Sequence, residues 1–362
     1  MWLFAETIVV TSSQSHFSTP PLNLPEGAEC KYHNYKGTCV KYNKCMSPAQ
    51  LLRHLNSIPV KCLEYLSTLP YESLTYTSID KTLSELNCKI VSTYLTQGGG
   101  IAGGRAAERD RYPHMALLGY GNDLKSVQWL CGGSVISEKF VLTAAHCIFT
   151  KFGNVSYVAV GMLRRTDPPE IWQRIKVKRI IPYPEYKSSS KYHDIALLET
   201  EVQFKFSKAV LPACLDTAEP QPEPPFNILQ VTGWGALDSK QSSLADTLQV
   251  VDLEEFSEEE CSLDYPPKSS VLEYGYDKVI QICYGSRNNV NDTCKGDSGG
   301  PLQRSISLER QYQVVGVTSF GNRCGIKGGA AIYTRVEPYL QWIENIVWPL
   351  GDPKELEEFK KF

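Results

Sequence analysis

The sequence predicts an all-β protein of many short strands, preceded by a small module stapled by cysteines. Three observations carry this expectation. Beyond Ile101, β-type runs at residues 134–136, 156–160, 175–181, 195–198, 248–253 and 312–319 are broken repeatedly by turn residues, the pattern of a sandwich or barrel. A helical period recurs only near the end, where Val336, Leu340, Ile343 and Val347 fall at three- and four-residue steps and Pro338 is tolerated in the first turn. Finally, the chain carries 12 cysteines with no CxxC pair and no Cys/His cluster at zinc spacing, which reads as six disulfides rather than metal ligands.

Composition narrows the function. With 362 residues, 42% hydrophobic and 21% charged, the chain has room for a large domain plus an appendage and is not disordered throughout. Its 37 basic and 40 acidic side chains leave a formal charge of −3, which argues against a nucleic-acid binder that relies on phosphate contacts. No apolar run approaches the roughly 20 residues of a membrane span. Paired cysteines place the protein in an oxidising compartment, hence secreted and extracellular.

The chain divides into five segments. Residues 1–24 form a leader and lead-in: the first ten, MWLFAETIVV, lack a basic start and contain Glu6, so they read as an atypical signal, and the residues after them are rich in Ser, Thr and Pro. Residues 25–69 hold Cys30, Cys39, Cys45 and Cys62, too many staples for so short a stretch unless they substitute for a core. Residues 70–100 are a polar linker with the single Cys88, ending in Gln97-Gly98-Gly99-Gly100, a flexible tract open to proteolysis. Residues 101–350 carry the β-type runs, and 351–362 are a charged tail.

Nucleophilic hydrolysis requires a hydroxyl, a base to take its proton, a carboxylate to hold the base and donors for the oxyanion. Ser298 is the candidate hydroxyl, in Gly296-Asp297-Ser298-Gly299-Gly300-Pro301, where flanking glycines allow a tight turn that aims the N–H groups of Gly296 and Ser298 at one point. His146 is the candidate base, at the end of an apolar strand in Thr143-Ala144-Ala145-His146-Cys147, with Cys147 able to pair with Cys131. Asp194, in His193-Asp194-Ile195-Ala196-Leu197-Leu198, is the candidate carboxylate. The adjacent His193 is a poor partner for it, because strand neighbours point to opposite faces.

These residues run in the order His146, Asp194, Ser298. From Ile101 to about Val347 the chain resembles the trypsin/chymotrypsin family of serine endopeptidases, through Ile101-Ala102-Gly103-Gly104, Cys131-Gly132-Gly133-Ser134, TAAHC, HDIALL, Gly233-Trp234-Gly235, GDSGGP, Ser319-Phe320-Gly321 and Tyr333-Thr334-Arg335-Val336. The resemblance implies a chymotrypsin-like pair of six-stranded antiparallel β-barrels with the active site between them. It implies that Asp292 lies at the base of the pocket for the residue before the cut, so that Arg or Lys is preferred, with Ser319, Phe320, Gly321 and Ala331 lining pocket and cleft. Ala331 stands where the family usually has glycine, and its methyl would narrow the slot. The resemblance further implies a precursor: a cut between Gly100 and Ile101 frees an ammonium that pairs with Asp297 and orders the site. Because Gly100 is neither Arg nor Lys, the activating protease has another specificity.

In residues 25–69, Cys30, Cys39 and Cys45 with the Gly37-Thr38-Cys39-Val40 turn resemble the clip domain of arthropod clip-domain serine proteases, and the catalytic part resembles their Snake and Persephone subgroup. Clip domains usually have six cysteines and end in an adjacent pair, which this sequence lacks. The resemblances together imply the bonds Cys131 to Cys147, Cys261 to Cys283, Cys294 to Cys324, Cys88 to Cys214, Cys39 to Cys62 and Cys30 to Cys45. The implied partners are a protein substrate, such as another zymogen or a cytokine precursor, an activating protease and a serpin as inhibitor, with no nucleic acid and no membrane span. A non-catalytic homologue acting as a scaffold is the alternative; the intact His146, Asp194 and Ser298 count against it. No cofactor or metal is expected: residues 161–172, where relatives sometimes bind calcium, have Met162 and Leu163 where a carboxylate ligand would begin. Asn154-Val155-Ser156 is the expected glycosylation sequon.

Overall fold

The computed structural model describes residues 104–217, 228–236, 243–287, 296–305, 312–321 and 329–349, together with the backbone of a hairpin, Glu29–Tyr32 paired with Tyr35–Thr38. The expectations for Gly100, Ile101, Asp292, Cys294, Cys324, Cys88 and the side chains of Cys30, Cys39, Cys45 and Cys62 lie outside the described residues.

Six strands make the first barrel: β1 (Met115–Tyr120), β2 (Gln128–Val135), β3 (Phe140–Thr143), β4 (Gly153–Val160), β5 (Gln173–Pro182) and β6 (Ala196–Thr200). They are joined in the order β1-β2-β3-β6-β5-β4, and β4 returns to pair with β1, which closes the ring and leaves no open edge. The alternation of β1 explains how it holds both sides. Ala116, Leu118 and Tyr120 point into the barrel with Val135, Leu142, Val158 and Leu197, while Met115 and Leu117 point outward against Trp234, Leu248 and Tyr312. Leu118, Leu142 and Leu197 are fully buried, each contributing about 2 kcal/mol.

The second barrel repeats the plan with β7 (Ile228–Gly233), β8 (Gln249–Glu255), β9 (Gln281–Gly285), β10 (Pro301–Ser305), β11 (Tyr312–Gly321) and β12 (Ala330–Arg335). Their order is β11-β10-β7-β8-β9-β12, closed by β11 on β12. Its core holds Val231, Leu253, Ile282, Leu302, Val315 and Tyr333. The fold is therefore the chymotrypsin-like all-β architecture expected from the motifs.

Two α-helices lie among the described residues. The C-terminal pattern forms a 3-10 turn, Glu337–Tyr339, and then α2 (Leu340–Val347), whose Ile343 and Val347 pack into the core of the first barrel. The other, α1 (Glu258–Asp264), has no apolar period to announce it, because only Cys261 along it is buried. It is set by its ends instead: Ser257 accepts from the Glu260 backbone while the Glu260 carboxylate accepts from Ser257 N–H, a capping box. A disulfide from Cys261 to Cys283 fastens it to β9.

At the seam between barrels a buried polar chain runs from one to the other. Gln303 on β10 donates from Nε2 to Thr232 Oγ1 at 3.3 Å, so its Oε1 is the atom 2.5 Å from His114 Nε2, and that nitrogen carries the proton. Thr232 in turn donates to Met115 Sδ at 3.0 Å. Burial pushes His114 down to about 4, despite the hydrogen bond to Gln303, so the imidazole is neutral.

Candidate active site

Pairing of β3 with β6 assembles the first two residues of the site. Thr143 at the end of β3 lies opposite Ala196 at the start of β6, so the 3-10 turn Ala145–Ile148 after one strand meets the residue two before the other. His146 N–H donates to Asp194 Oδ1 at 2.8 Å, and His146 Nδ1 lies 2.7 Å from Oδ2. A disulfide from Cys147 to Cys131 on β2 fixes the turn. Ser319 donates to Asp194 Oδ2 at 2.5 Å, and Thr334 Oγ1 donates to the Asp194 carbonyl at 3.0 Å.

Burial alone would raise Asp194, which is 1% exposed, but the nearby His146 and hydrogen bonds from His146 and Ser319 hold it below the usual carboxylate range. An ionised acceptor requires Nδ1 to be the donor. In the neutral ring, Nε2 is then the acceptor, and the ring is partly exposed to the cleft.

Ser298 sits on a loop clamped between the barrels. Gly296 and Gly299 adopt φ of 107° and 78°, values that side chains resist, and Gly300 N–H closes the turn on the Asp297 carbonyl at 2.9 Å. Gly299 N–H donates to Thr318 O and Thr318 N–H to Gly300 O, both at 2.9 Å, which ties the loop to β11. From the other side Gly132 N–H donates to Ser298 O at 2.8 Å. A Cβ on Gly299 would lie 2.2 Å from Thr143 Oγ1 and 2.5 Å from Gly132 O, so the loop presses against the strand ends that deliver His146. Asp297 is buried and accepts from Gly235 N–H at 2.8 Å; a Cβ on Gly235 would lie 2.3 Å from its Oδ2.

Beside this loop, Gly321 at the end of β11 pairs with the fully buried Ala331 on β12, whose methyl would be 3.3 Å from a Cβ on Gly321. Phe320 is half-buried, edge-on to Tyr265 at 5.6 Å and beneath Lys191. Cys214 is disulfide-bonded to a cysteine outside the described residues, since the other four described cysteines pair with one another. Asn154 is exposed near the start of β4.

His193 differs from expectation in its reason, not its location away from Asp194. It precedes β6 rather than lying on it, and a left-handed φ of 55° turns its ring aside to Tyr339 Oη at 3.0 Å and the Tyr183 ring at 5.4 Å. Residues 161–172 are drawn together by their own Asp167, which accepts from Leu163 and Arg164 N–H, both at 2.8 Å, and from Arg109. His146 and the sulfurs of Cys131 and Cys147 converge within 4.8 Å, but those sulfurs form a disulfide and offer no thiolate to a metal. Ser319 and Thr334 both lie in motifs that carry the resemblance, but those motifs do not give their roles toward Asp194: Ser319, expected to line the cleft, is buried with its hydroxyl on the carboxylate.

Two closed antiparallel barrels, with a buried carboxylate hydrogen-bonded to an imidazole and a glycine-flanked serine loop at their seam, define a chymotrypsin-like protein. The chain belongs to the trypsin family, whose model, described as Trypsin, matches residues 101–343. It is similar to serine protease snk of Drosophila melanogaster, 32% identical with 90% of this chain and 80% of that protein covered. CLIP domain-containing serine protease C9 of Anopheles gambiae is 34% identical, with 68% of each covered. Serine protease Hayan of Drosophila melanogaster is 37% identical over 69% of this chain, which spans 39% of Hayan's length. These relatives agree with the resemblance to arthropod clip-domain serine proteases. No helix among the described residues is long and apolar enough to cross a membrane.

Proposed function

We propose that the chain is a secreted zymogen endopeptidase that cuts protein substrates after Arg or Lys in an extracellular cascade of the immune, clotting or developmental kind. The observation that carries this reading is the His146–Asp194 pair, at 2.7 Å, beside the clamped Ser298 loop. Ser298 Oγ attacks the scissile carbonyl while His146 Nε2 takes its proton, and Asp194 holds the resulting imidazolium in register. The N–H groups of Gly296 and Ser298 receive the oxyanion. His146 then returns the proton to the leaving amine, and water repeats the sequence on the acyl-enzyme, releasing the acid and restoring Ser298.

Asp292 supplies the charge that a basic side chain meets in the pocket, and the Ala331 methyl narrows the slot. Before the cut after Gly100 the ammonium of Ile101 does not exist, so the pairing with Asp297 is a switch controlled by a protease that does not require Arg or Lys. A bond from Cys88 to Cys214 would keep the clip-like module attached after activation, and Asn154 carries a glycan. The substrate is another zymogen or a cytokine precursor, and a serpin ends the activity.

Hydrolysis of peptide amides by the chain cut before Ile101 tests the reading. Cleavage after Arg or Lys, abolished by Ser298→Ala and redirected by Asp292→Ser, is expected. No hydrolysis by protein whose sequenced new N-terminus is Ile101 would favour a non-catalytic homologue.

A further inference from the structure

His193, immediately before Asp194, has a left-handed φ of 55°. A residue with a Cβ resists this conformation, so it persists where the surroundings over-determine it. Here the surroundings are aromatic and come from the loop after β5 and from the C-terminal turn. Tyr183, the first residue after β5, stacks its ring on the His193 ring at 5.4 Å and 26°. Tyr339, 146 residues away in the 3-10 turn, places its hydroxyl 3.0 Å from His193 Nδ1. That tyrosine is 1% exposed, and Tyr183 packs edge-on to it at 4.8 Å and to Trp342 of α2 at 5.3 Å. The imidazole is therefore gripped by a small aromatic cage, with its Nε2 turned to Glu185 at 3.7 Å.

The backbone shows what this grip controls. Ile195 N–H donates to His193 O at 2.8 Å, so Asp194 is the middle residue of a three-residue turn. Ile195 O in turn accepts from Tyr183 N–H at 3.0 Å, and the Asp194 carbonyl accepts from Thr334 Oγ1 at 3.0 Å. The exit of the turn is thus fixed by Tyr183 and its middle by Thr334, while its entrance is fixed through the His193 side chain. A change of φ at that entrance would swing the Asp194 carboxylate, whose two oxygens meet His146 N–H at 2.8 Å and Nδ1 at 2.7 Å.

We propose that His193 is a positioning residue for the catalytic pair: its ring, held by Tyr183 and Tyr339, keeps the left-handed entrance from which Asp194 reaches His146. It acts through Asp194. Only the kinetic part of the test rests on the endopeptidase reading above. The choice of variants separates backbone conformation from packing. His193→Ala and His193→Asn both discard the ring and its contacts, but asparagine enters the left-handed region readily and alanine does not.

Full-length chain with residues 96–100 replaced by an enteropeptidase site serves both measurements. On uncut protein, proton NMR reads the strongly downfield resonance of the Nδ1–H shared between His146 and Asp194. It is expected at the wild-type position in His193→Asn, and shifted upfield or broadened away in His193→Ala. On activated protein and a peptide amide with Arg before the cut, His193→Ala is expected to lower kcat about tenfold with KM within about twofold, and His193→Asn to keep kcat within about twofold of wild type. Tyr339→Phe, which keeps the cage but not its hydroxyl, should fall between them. It stands in for His193→Ala should that variant not fold, and wild-type resonance and kcat would then overturn the proposal. Equal resonances in His193→Ala and His193→Asn overturn it, since loss of packing alone affects both alike; so does an equal kcat where the wild type turns over. Unequal resonances with no turnover in any protein, wild type included, overturn the endopeptidase reading and leave the positioning role standing.

Discussion

Ser319 and His146 converge on a single oxygen: Oδ2 of Asp194 accepts the Ser319 hydroxyl at 2.5 Å and faces His146 Nδ1 at 2.7 Å. One donor comes from the second barrel and the other from the first, so the seam itself keeps the carboxylate aimed. Hydrogen bonds to a charged group are worth about 1.5–3 kcal/mol. Ser319→Ala should therefore lower kcat/KM by about ten- to hundredfold, measured on a peptide with Arg before the cut. An unchanged value would show that the hydroxyl does not orient Asp194.

Asp194→Asn removes the ionised acceptor and permits the wrong tautomer of His146. A fall in kcat of about 10⁴-fold at neutral pH is expected, with the folded content by circular dichroism retained. The sign of the stability effect follows from a carboxylate held low. Asp194 favours the folded state above the ordinary carboxylate value of 3.8, and this contribution is lost as pH falls through its lowered native value.

Much of this centre is legible in the amino-acid order alone, because its chemistry depends on runs of local sequence. Gly296 to Pro301 encodes a tight turn, and Val141 to Cys147 encodes a strand that ends at a histidine. The illegible part is held by contacts between distant strands. Neither Thr334 under Asp194 nor the chain from His114 through Gln303 to Thr232 has a period or spacing that a single sequence reveals. Helix α1 escapes an apolar period for another reason: Ser257 and Glu260 write its signal as a cap. Strand β1 escapes polar alternation too, since Met115 to Tyr120 is buried on both faces.

Gly299 has no room for a side chain. Gly299→Ala would combine a left-handed backbone with contacts of 2.2 Å to Thr143 Oγ1 and 2.5 Å to Gly132 O. A loss of about 3 kcal/mol is expected in urea denaturation, from overpacking and backbone strain together. Full stability in that variant would mean that the Ser298 loop is not clamped as described.

His114 makes stability depend on pH in the opposite direction from an acid-stabilised histidine. Its native value of about 4 is below the ordinary 6.5, so the unfolded chain binds the proton first. Stability should fall as pH drops from about 6.5 to about 4, by about 3 kcal/mol in total, with no contribution above that window. Urea titrations of wild type and His114→Gln across this range compare directly: the variant should lose this slope. Parallel curves for the two proteins would exclude His114 as its source.

The reactivity of Ser298 is read most directly by treating chain cut before Ile101 with diisopropyl fluorophosphate and mapping the product by mass spectrometry. One phosphoryl adduct on Ser298 is expected, absent in Ser298→Ala and slowed at least about a thousandfold in His146→Ala. Unmodified Ser298 in protein with Ile101 as its sequenced N-terminus would contradict activation of that hydroxyl by the His146–Asp194 pair.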